Sequence, residues 1–218
     1  MALPFIHPST ILISGPTGSG KTKFVQRLIN EKMFNVRHNK ILWIYSEWQP
    51  AYNELARSNP LIEFEKELTD EMYESLLSSN KNLIILDDQM SRVGDSKILA
   101  KLFTEGSYHR NLSIIYIVQN LFDKGKSQRT SSLNTQYMVL FKNPRDSSQV
   151  QVLARQMYPN ESKFLVGAYQ DATQRPYGYL LLDLRPETPT EFRVRTSIFS
   201  GEVVEVYLPT KGIKGGVY

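Results

Sequence analysis

Eight consecutive residues carry the plainest chemical signal in this chain: Gly15-Pro-Thr-Gly-Ser-Gly-Lys-Thr22. They fit the pattern G-x-x-x-x-G-K-S/T, with an apolar β-branched run before them and helical spacing after them. In such a loop Gly15, Pro16, Thr17, Gly18, Ser19 and Gly20 bring the backbone close around a phosphate, with successive N–H groups turned inward. The following helix N-terminus adds partial positive charge. Lys21 can reach the β- and γ-phosphates of ATP, and the Thr22 hydroxyl can ligate Mg²⁺.

A second signal is Asn82-Leu-Ile-Ile-Leu-Asp87-Asp88. Four apolar residues and then an acid describe a buried strand that delivers a carboxylate at its C-terminal end, the edge where open α/β sheets place ligands. Asp87 is expected to hold Mg²⁺ through its water shell, and Asp88 to orient or deprotonate an attacking water. Strands also end in turn aspartates, but this pair follows Lys21 by 66 residues with one expected principal strand between. A third signal is Ser113-Ile-Ile-Tyr-Ile-Val118 followed by Gln119-Asn120. If this strand lies between the other two, Gln119 faces the γ-phosphate and senses it or positions the water; alternatively Asn120 caps a helix or turn.

These residues need an α/β sheet to present them. Thr10–Ser14, Ile41–Tyr45, Leu83–Leu86, Leu112–Val118 and Tyr137–Phe141 read as strands, with Ile62–Phe64 a further short one. Phe24, Leu28 and Lys32, with Val25, Ile29 and Met33 beside them, give a helical face directly after Thr22. Helices are also expected over 51–58 and 70–79 and around Ile98, Leu99, Leu102 and Phe103. This alternation implies a mainly parallel sheet covered on both faces. Past Pro144, Asp146 and Gln149 resemble a capping pair ahead of Val150, Leu153 and Met157, and another helix is expected from about Asn160. Tyr177–Leu184 and Phe192–Phe199 read as strands with no helix between them, a small C-terminal antiparallel addition. One domain is expected over residues 1–208, with its core at about 10–142 and an extension over 143–208. Residues 209–218 read as a flexible basic tail.

Composition narrows the class. The chain has 218 residues, 41% hydrophobic and 22% charged, and no cysteine, so disulfides and thiolate metal sites are excluded. No stretch approaches the roughly 20 apolar residues of a membrane-spanning helix, and Met1–Pro8 has no secretory pattern; an intracellular protein is expected. His7, His38 and His109 show no metal-ligand spacing and are expected to be surface or core residues. Charge is uneven: six basic and one acidic side chain in 1–46, three and ten in 47–91, seven and three in 92–130. That suits either a basic face for a polyanion or an ordinary solvated surface. Trp43, Tyr45 and Trp48 could stack on a base, but core or interface packing is the commoner role.

The P-loop, Leu83-Ile-Ile-Leu-Asp87-Asp88, and His109-Arg-Asn-Leu-Ser-Ile-Ile-Tyr-Ile-Val-Gln-Asn-Leu-Phe122 together resemble the FtsK–HerA superfamily. Within it the chain looks like the compact genome-packaging ATPases of double-jelly-roll DNA viruses and of Polinton (Maverick) elements. The resemblance covers about Ile11 to Phe141, and the segment before Gln119 carries most of it. It implies a RecA-like P-loop NTPase core with the Leu112–Val118 strand inserted between the P-loop and Asp87 strands. It also implies a homo-oligomeric ring of five or six subunits around double-stranded DNA, serving a capsid or portal vertex, without a membrane. By position Lys21 and Thr22 match the family's P-loop residues, Asp87 its Mg²⁺-binding acid and Gln119 its sensor.

The family's base is commonly Glu where this chain has Asp88, one methylene shorter; Glu47 is the alternative. An arginine reaching the neighbouring subunit's γ-phosphate is also implied. Arg129 in the basic loop Lys124–Thr130 and Arg110 before the strand are the candidates, Arg92 reading better as a solvated side chain. Lys124 and Lys126 could instead touch DNA phosphates. Two other readings stay open: a small-molecule P-loop kinase, though no arginine-rich lid is evident, and a non-catalytic module that uses ATP only as a switch.

Overall fold

The structure is a computed structural model that describes residues 3–77, 81–87, 102, 111–121, 135–145 and 147–209. Asp88, Arg92, His109, Arg110, the Lys124–Thr130 loop with Arg129, Asp146 and the tail from 210 on lie outside the described residues, as does the helix expected around residue 98 except for buried Leu102.

Among the described residues nine strands form one sheet: β1 (Thr10–Ser14), β2 (Lys40–Tyr45), β3 (Ile62–Glu65), β4 (Asn82–Asp87), β5 (Leu112–Val118), β6 (Tyr137–Phe141), β7 (Tyr179–Asp183), β8 (Val194–Thr196) and β9 (Glu205–Val206). Their order is β3-β2-β4-β5-β1-β6-β7-β8-β9. The first six are parallel to their neighbours, and β7, β8 and β9 add on antiparallel. Strands β1, β4, β5, β6 and β7 are buried at every position, as expected where helices cover both faces. On one face Ile11, Ile13, Trp43, Ile85 and Ile115 meet Phe24, Val25 and Leu28 of α1 (Lys21–Asn30) and Tyr52 and Leu55 of α2 (Pro50–Ser58). On the other, Leu12, Leu42, Ile84 and Ile114 meet residues of α3 (Asp70–Leu77), α4 (Ser148–Met157) and α5 (Ser162–Ala172).

Two local expectations are corrected, the extent of α1 and the length of the C-terminal strands. Helix α1 stops at Asn30, and Lys32 (φ 53) belongs to the turn that follows, so it is not on the helical face with Phe24 and Leu28. Of the expected capping pair ahead of α4, Asp146 lies outside the described residues. The N-cap of α4 is Ser147 with no side-chain cap bond, while the Gln149 side-chain oxygen accepts from Leu121 N at 2.6 Å. The C-terminal strands are shorter than expected, with a 3-10 turn at Thr190–Phe192 between them. They also extend the main sheet through β6, because Tyr137–Phe141 offers an unpaired edge that β7 satisfies. Trp43 is fully buried against Tyr52 and Phe64, which settles it as core.

The N-terminal edge of the sheet holds two buried histidines, 31 residues apart in sequence but with ring centroids 5.4 Å apart. His7 Nδ1 shares a 2.7 Å hydrogen bond with Ser113 Oγ. Burial lowers both pKa values: that of His38 to about 4, with His7 as second cause, and that of His7 against opposing hydrogen bonds from Asn111 and with help from Lys81. The unfolded chain, titrating near 6.5, therefore binds more protons than the folded one as pH falls toward 4. Stability is expected to be full above about pH 6.5 and to be lost on acidification, at up to about 1.4 kcal/mol per pH unit for each histidine. Denaturant midpoints between pH 7 and 4.5 should fall more steeply for wild type than for His38→Gln. Parallel curves would mean that His38 is not held neutral.

Candidate nucleotide site

The loop after β1 shows why its glycines are needed. A Cβ on Gly15 would stand 2.7 Å from Phe141 Cβ and 2.8 Å from Ser19 Oγ, so no other side chain fits there. Gly20, the N-cap of α1, has φ 103, in the left-handed region that a bulky side chain avoids. No side chain caps α1, so its first N–H groups remain available at the loop. Gly15 N donates to Val118 O at 3.2 Å, tying the loop to the end of β5.

Beside this loop lies a cleft of about 470 Å³ lined by Thr17, Gly18, Gly20, Lys21, Thr22, Lys23, Gln49, Asp87, Gln119 and Tyr177. The sheet order explains the gathering. Strand β5 runs between β1 and β4, with Ser14 beside Val118 and Asp87 beside Ile117. The loop after β1, the last residue of β4 and the first residue after β5 therefore meet at one edge. Of the residues read from sequence, Lys21, Thr22, Asp87 and Gln119 come together with the glycine loop. Asp88, Arg110 and Arg129 lie outside the described residues, and Glu47 is not among the residues lining the cleft.

Lys21 Nζ donates to Gly15 O at 2.6 Å and Pro16 O at 2.9 Å, folding the ammonium back over the cradle. Asp87 is 5% exposed, and its Oδ2 accepts from the Tyr52 hydroxyl at 2.7 Å. Tyr52 was not legible as a site residue. It sits on α2, remote in sequence, and only the packing of α2 against β2 and β3 brings its ring under Asp87. The bond leaves Asp87 one fixed orientation, as partners of metal-binding carboxylates do. A Thr hydroxyl and a carboxylate facing one phosphate-sized cradle are a hard-oxygen donor set. They suit Mg²⁺, which takes one or two protein oxygens and completes its shell with phosphate and water. Tyr45, Trp48, Tyr52 and Phe64 form a ring cluster beside this edge, with Trp48 46% exposed.

No model of a known protein family matches the chain, and no curated protein matches it in sequence. Solved structures do. The genome packaging NTPase B204 of Sulfolobus turreted icosahedral virus 2, in complex with ATP-gammaS, superposes with a TM-score of 0.58 at 11% identity, covering 94% of this chain and 98% of that one. The DNA-packaging ATPase B204 of Sulfolobus turreted icosahedral virus gives 0.53 at 11% identity, covering 94% and 99%. A KaiC-like protein, PH0186, of Pyrococcus horikoshii gives 0.50 at 13% identity, covering 93% and 90%. The fold is that of a RecA-like P-loop ATPase. In this RecA-like sheet the expected insertion of one strand between the P-loop strand and the Asp87 strand is present as β5, and the antiparallel addition as β7, β8 and β9. Among the described residues no helix is long and apolar enough to cross a membrane.

Proposed function

We propose that this chain is an ATP-hydrolysing motor that moves double-stranded DNA and packages a viral or virus-like genome, in the manner of the FtsK–HerA superfamily and of Polinton-type elements within it. The carrying observation is the meeting of Lys21, Thr22, Asp87 and Gln119 in one cleft at the edge of the sheet. The likeness in fold to proteins described as genome-packaging and DNA-packaging ATPases supports the packaging reading. So does the basic excess of seven against three in residues 92–130.

In this reading the cradle and Lys21 bind and align the triphosphate, and Thr22 and Asp87 hold the Mg²⁺ that neutralises phosphate charge. Tyr52 keeps Asp87 oriented. Gln119 positions the attacking water and reports whether a γ-phosphate is present. Asp88 takes the proton from that water, so that the new P–O bond forms as the β–γ bridging bond breaks to ADP. Arg129, or else Arg110, reaches the neighbouring subunit's γ-phosphoryl group across a ring of five or six copies. The ring acts inside the host cell, at a capsid or portal vertex, with Lys124 and Lys126 on the DNA backbone.

The test is phosphate release with and without double-stranded DNA of mixed sequence. Stimulation by DNA, insensitive to sequence and falling steeply with salt, is the expected result. Turnover that requires a small-molecule acceptor would make the chain a kinase, and ATP binding without turnover would make it a switch.

A further inference from the structure

We propose that Tyr177 is the platform on which the purine base of the bound nucleotide stacks, and that the polar cavity beyond it receives the base edge and ribose. The inference rests on the nucleotide-site reading above and extends it to a part of the ligand that the P-loop does not touch.

Three independent features of Tyr177 lead there. Its backbone is strained: Gly178 N donates to Arg175 O at 3.0 Å, closing a turn with Pro176 second and Tyr177 third, at φ 62. A turn with positive φ at its third residue favours glycine, and a bulky aromatic there is an outlier. Such strain clusters at ligand clamps. Second, Tyr177 is 65% exposed, although the neighbouring aromatics Phe24, Phe141, Tyr179 and Phe199 are buried. Phe24, Phe141, Tyr179 and Phe199 pack edge-to-face or tilted with centroids 4.7 to 6.1 Å apart, and the Tyr179 hydroxyl accepts from Ile198 N, giving the turn a rigid floor. Third, its position is shared. Tyr177 lines both the P-loop cleft and a second cavity of about 620 Å³. Its Cδ1 lies 3.1 Å from where a Cβ on Gly20 would stand, so the ring rests against the bare glycine at the start of α1.

The sheet order then sets the direction of the ligand. Asp87 ends β4 and Gln119 follows β5, both on one side of β1; Tyr177 precedes β7, two strands away on the other side. A triphosphate whose γ end faces Asp87 and Gln119 and whose α-phosphate meets the N-terminus of α1 must extend its nucleoside toward β6 and β7. Tyr177 is the exposed aromatic met on that path. The cavity beyond is lined by Gln174 and by the Arg175–Glu205 pair, joined at 2.9 Å, whose remaining donors and acceptors face a ribose and a base edge.

The test is calorimetric binding of MgATP, MgADP and Mg-tripolyphosphate to the full chain and to Tyr177→Gly and Tyr177→Phe. Glycine suits the positive φ, so that variant removes the ring while easing the backbone, and a thermal melt checks the fold. Expected is a loss of ATP and ADP affinity of between about fivefold and 150-fold for Tyr177→Gly, from stacking alone. Tripolyphosphate affinity should stay within about twofold, and Tyr177→Phe should bind like wild type. Unchanged ATP affinity in Tyr177→Gly overturns the inference. An equal loss for tripolyphosphate does so too, since the ring would then only prop the P-loop. A wild-type chain that binds ATP but is not stimulated by DNA overturns the motor and leaves the base platform standing. A wild-type chain that binds neither ATP nor tripolyphosphate overturns both.

Discussion

Lys21→Ala is expected to reduce ATP turnover by at least about 10²–10³-fold without unfolding the protein. The ammonium lies 2.6 and 2.9 Å from the Gly15 and Pro16 carbonyl oxygens, and those contacts are its resting place over the cradle. Bound triphosphate offers it a stronger, ionised acceptor. Losing it removes a cation from the phosphates where charge develops, and ATP affinity should fall as well. The fold should tolerate the change because Lys21 opens α1 and is only partly buried. Steady-state phosphate release and a melting curve report the two effects separately; wild-type turnover would mean that the loop is not the catalytic cradle.

The same variant tests the proposed ring. An arginine that completes a neighbour's site is useless to its own, and it can contribute about 10³–10⁵ in rate. Arg129→Ala, or Arg110→Ala, should bind ATP yet turn it over slowly. Mixed with Lys21→Ala, it should recover activity above the sum of the two preparations, because some interfaces then join an intact P-loop to an intact arginine. Rings that exchange subunits and show no recovery with either arginine would place neither residue in trans.

Asp183→Ala is expected to destabilise the fold by about 3–5 kcal/mol, because it strands a buried charge. Asp183 and the Arg195 side chain are each 1% exposed. The carboxylate accepts from Arg185 Nε at 3.0 Å and Nη2 at 2.9 Å, from Thr188 Oγ1 at 2.8 Å and from Arg195 Nη1 at 3.4 Å. Burial lowers the Arg195 pKa, and Asp183 is the main opposing influence. Arg195 also donates to Phe192 O, so the 3-10 turn and β8 hang on the same group. Without Asp183 the guanidinium keeps its desolvation cost and loses its counter-charge. For a chain of this size the change corresponds to a melting-temperature drop of about 6–20 °C. Arg185→Ala, which removes a side chain that is itself 20% exposed, should cost clearly less. A drop under about 3 °C for Asp183→Ala would mean that water replaces the carboxylate.

The candidate nucleotide site was legible because its parts are short and self-describing. A glycine-rich loop between a strand and a helix has few other uses, and four apolar residues ending in an acid mark where a strand meets the ligand edge. Gln119 was legible only conditionally. Its role depended on β5 lying between β1 and β4, and strand order is not written in periodicity, since Leu112–Val118 reads the same wherever it inserts. Tyr52 and Tyr177 were not legible at all. Each matters through a partner far along the chain, Asp87 in one case and Gly20 in the other, and neither belongs to a spacing pattern.

By itself the sequence determined the glycine-rich loop between strand and helix, the acid at the end of β4 and the alternation that makes a parallel α/β sheet, because these are properties of contiguous residues. The tertiary structure decided which strands are neighbours, and so which strand ends share a cleft. It also decided that the C-terminal strands continue the main sheet through β6, that His7 and His38 meet at its base, and that the Gln149 side chain accepts from Leu121 N. Each of these is a pairing across a long stretch of chain, won by hydrogen-bonding and burial terms that no local window contains.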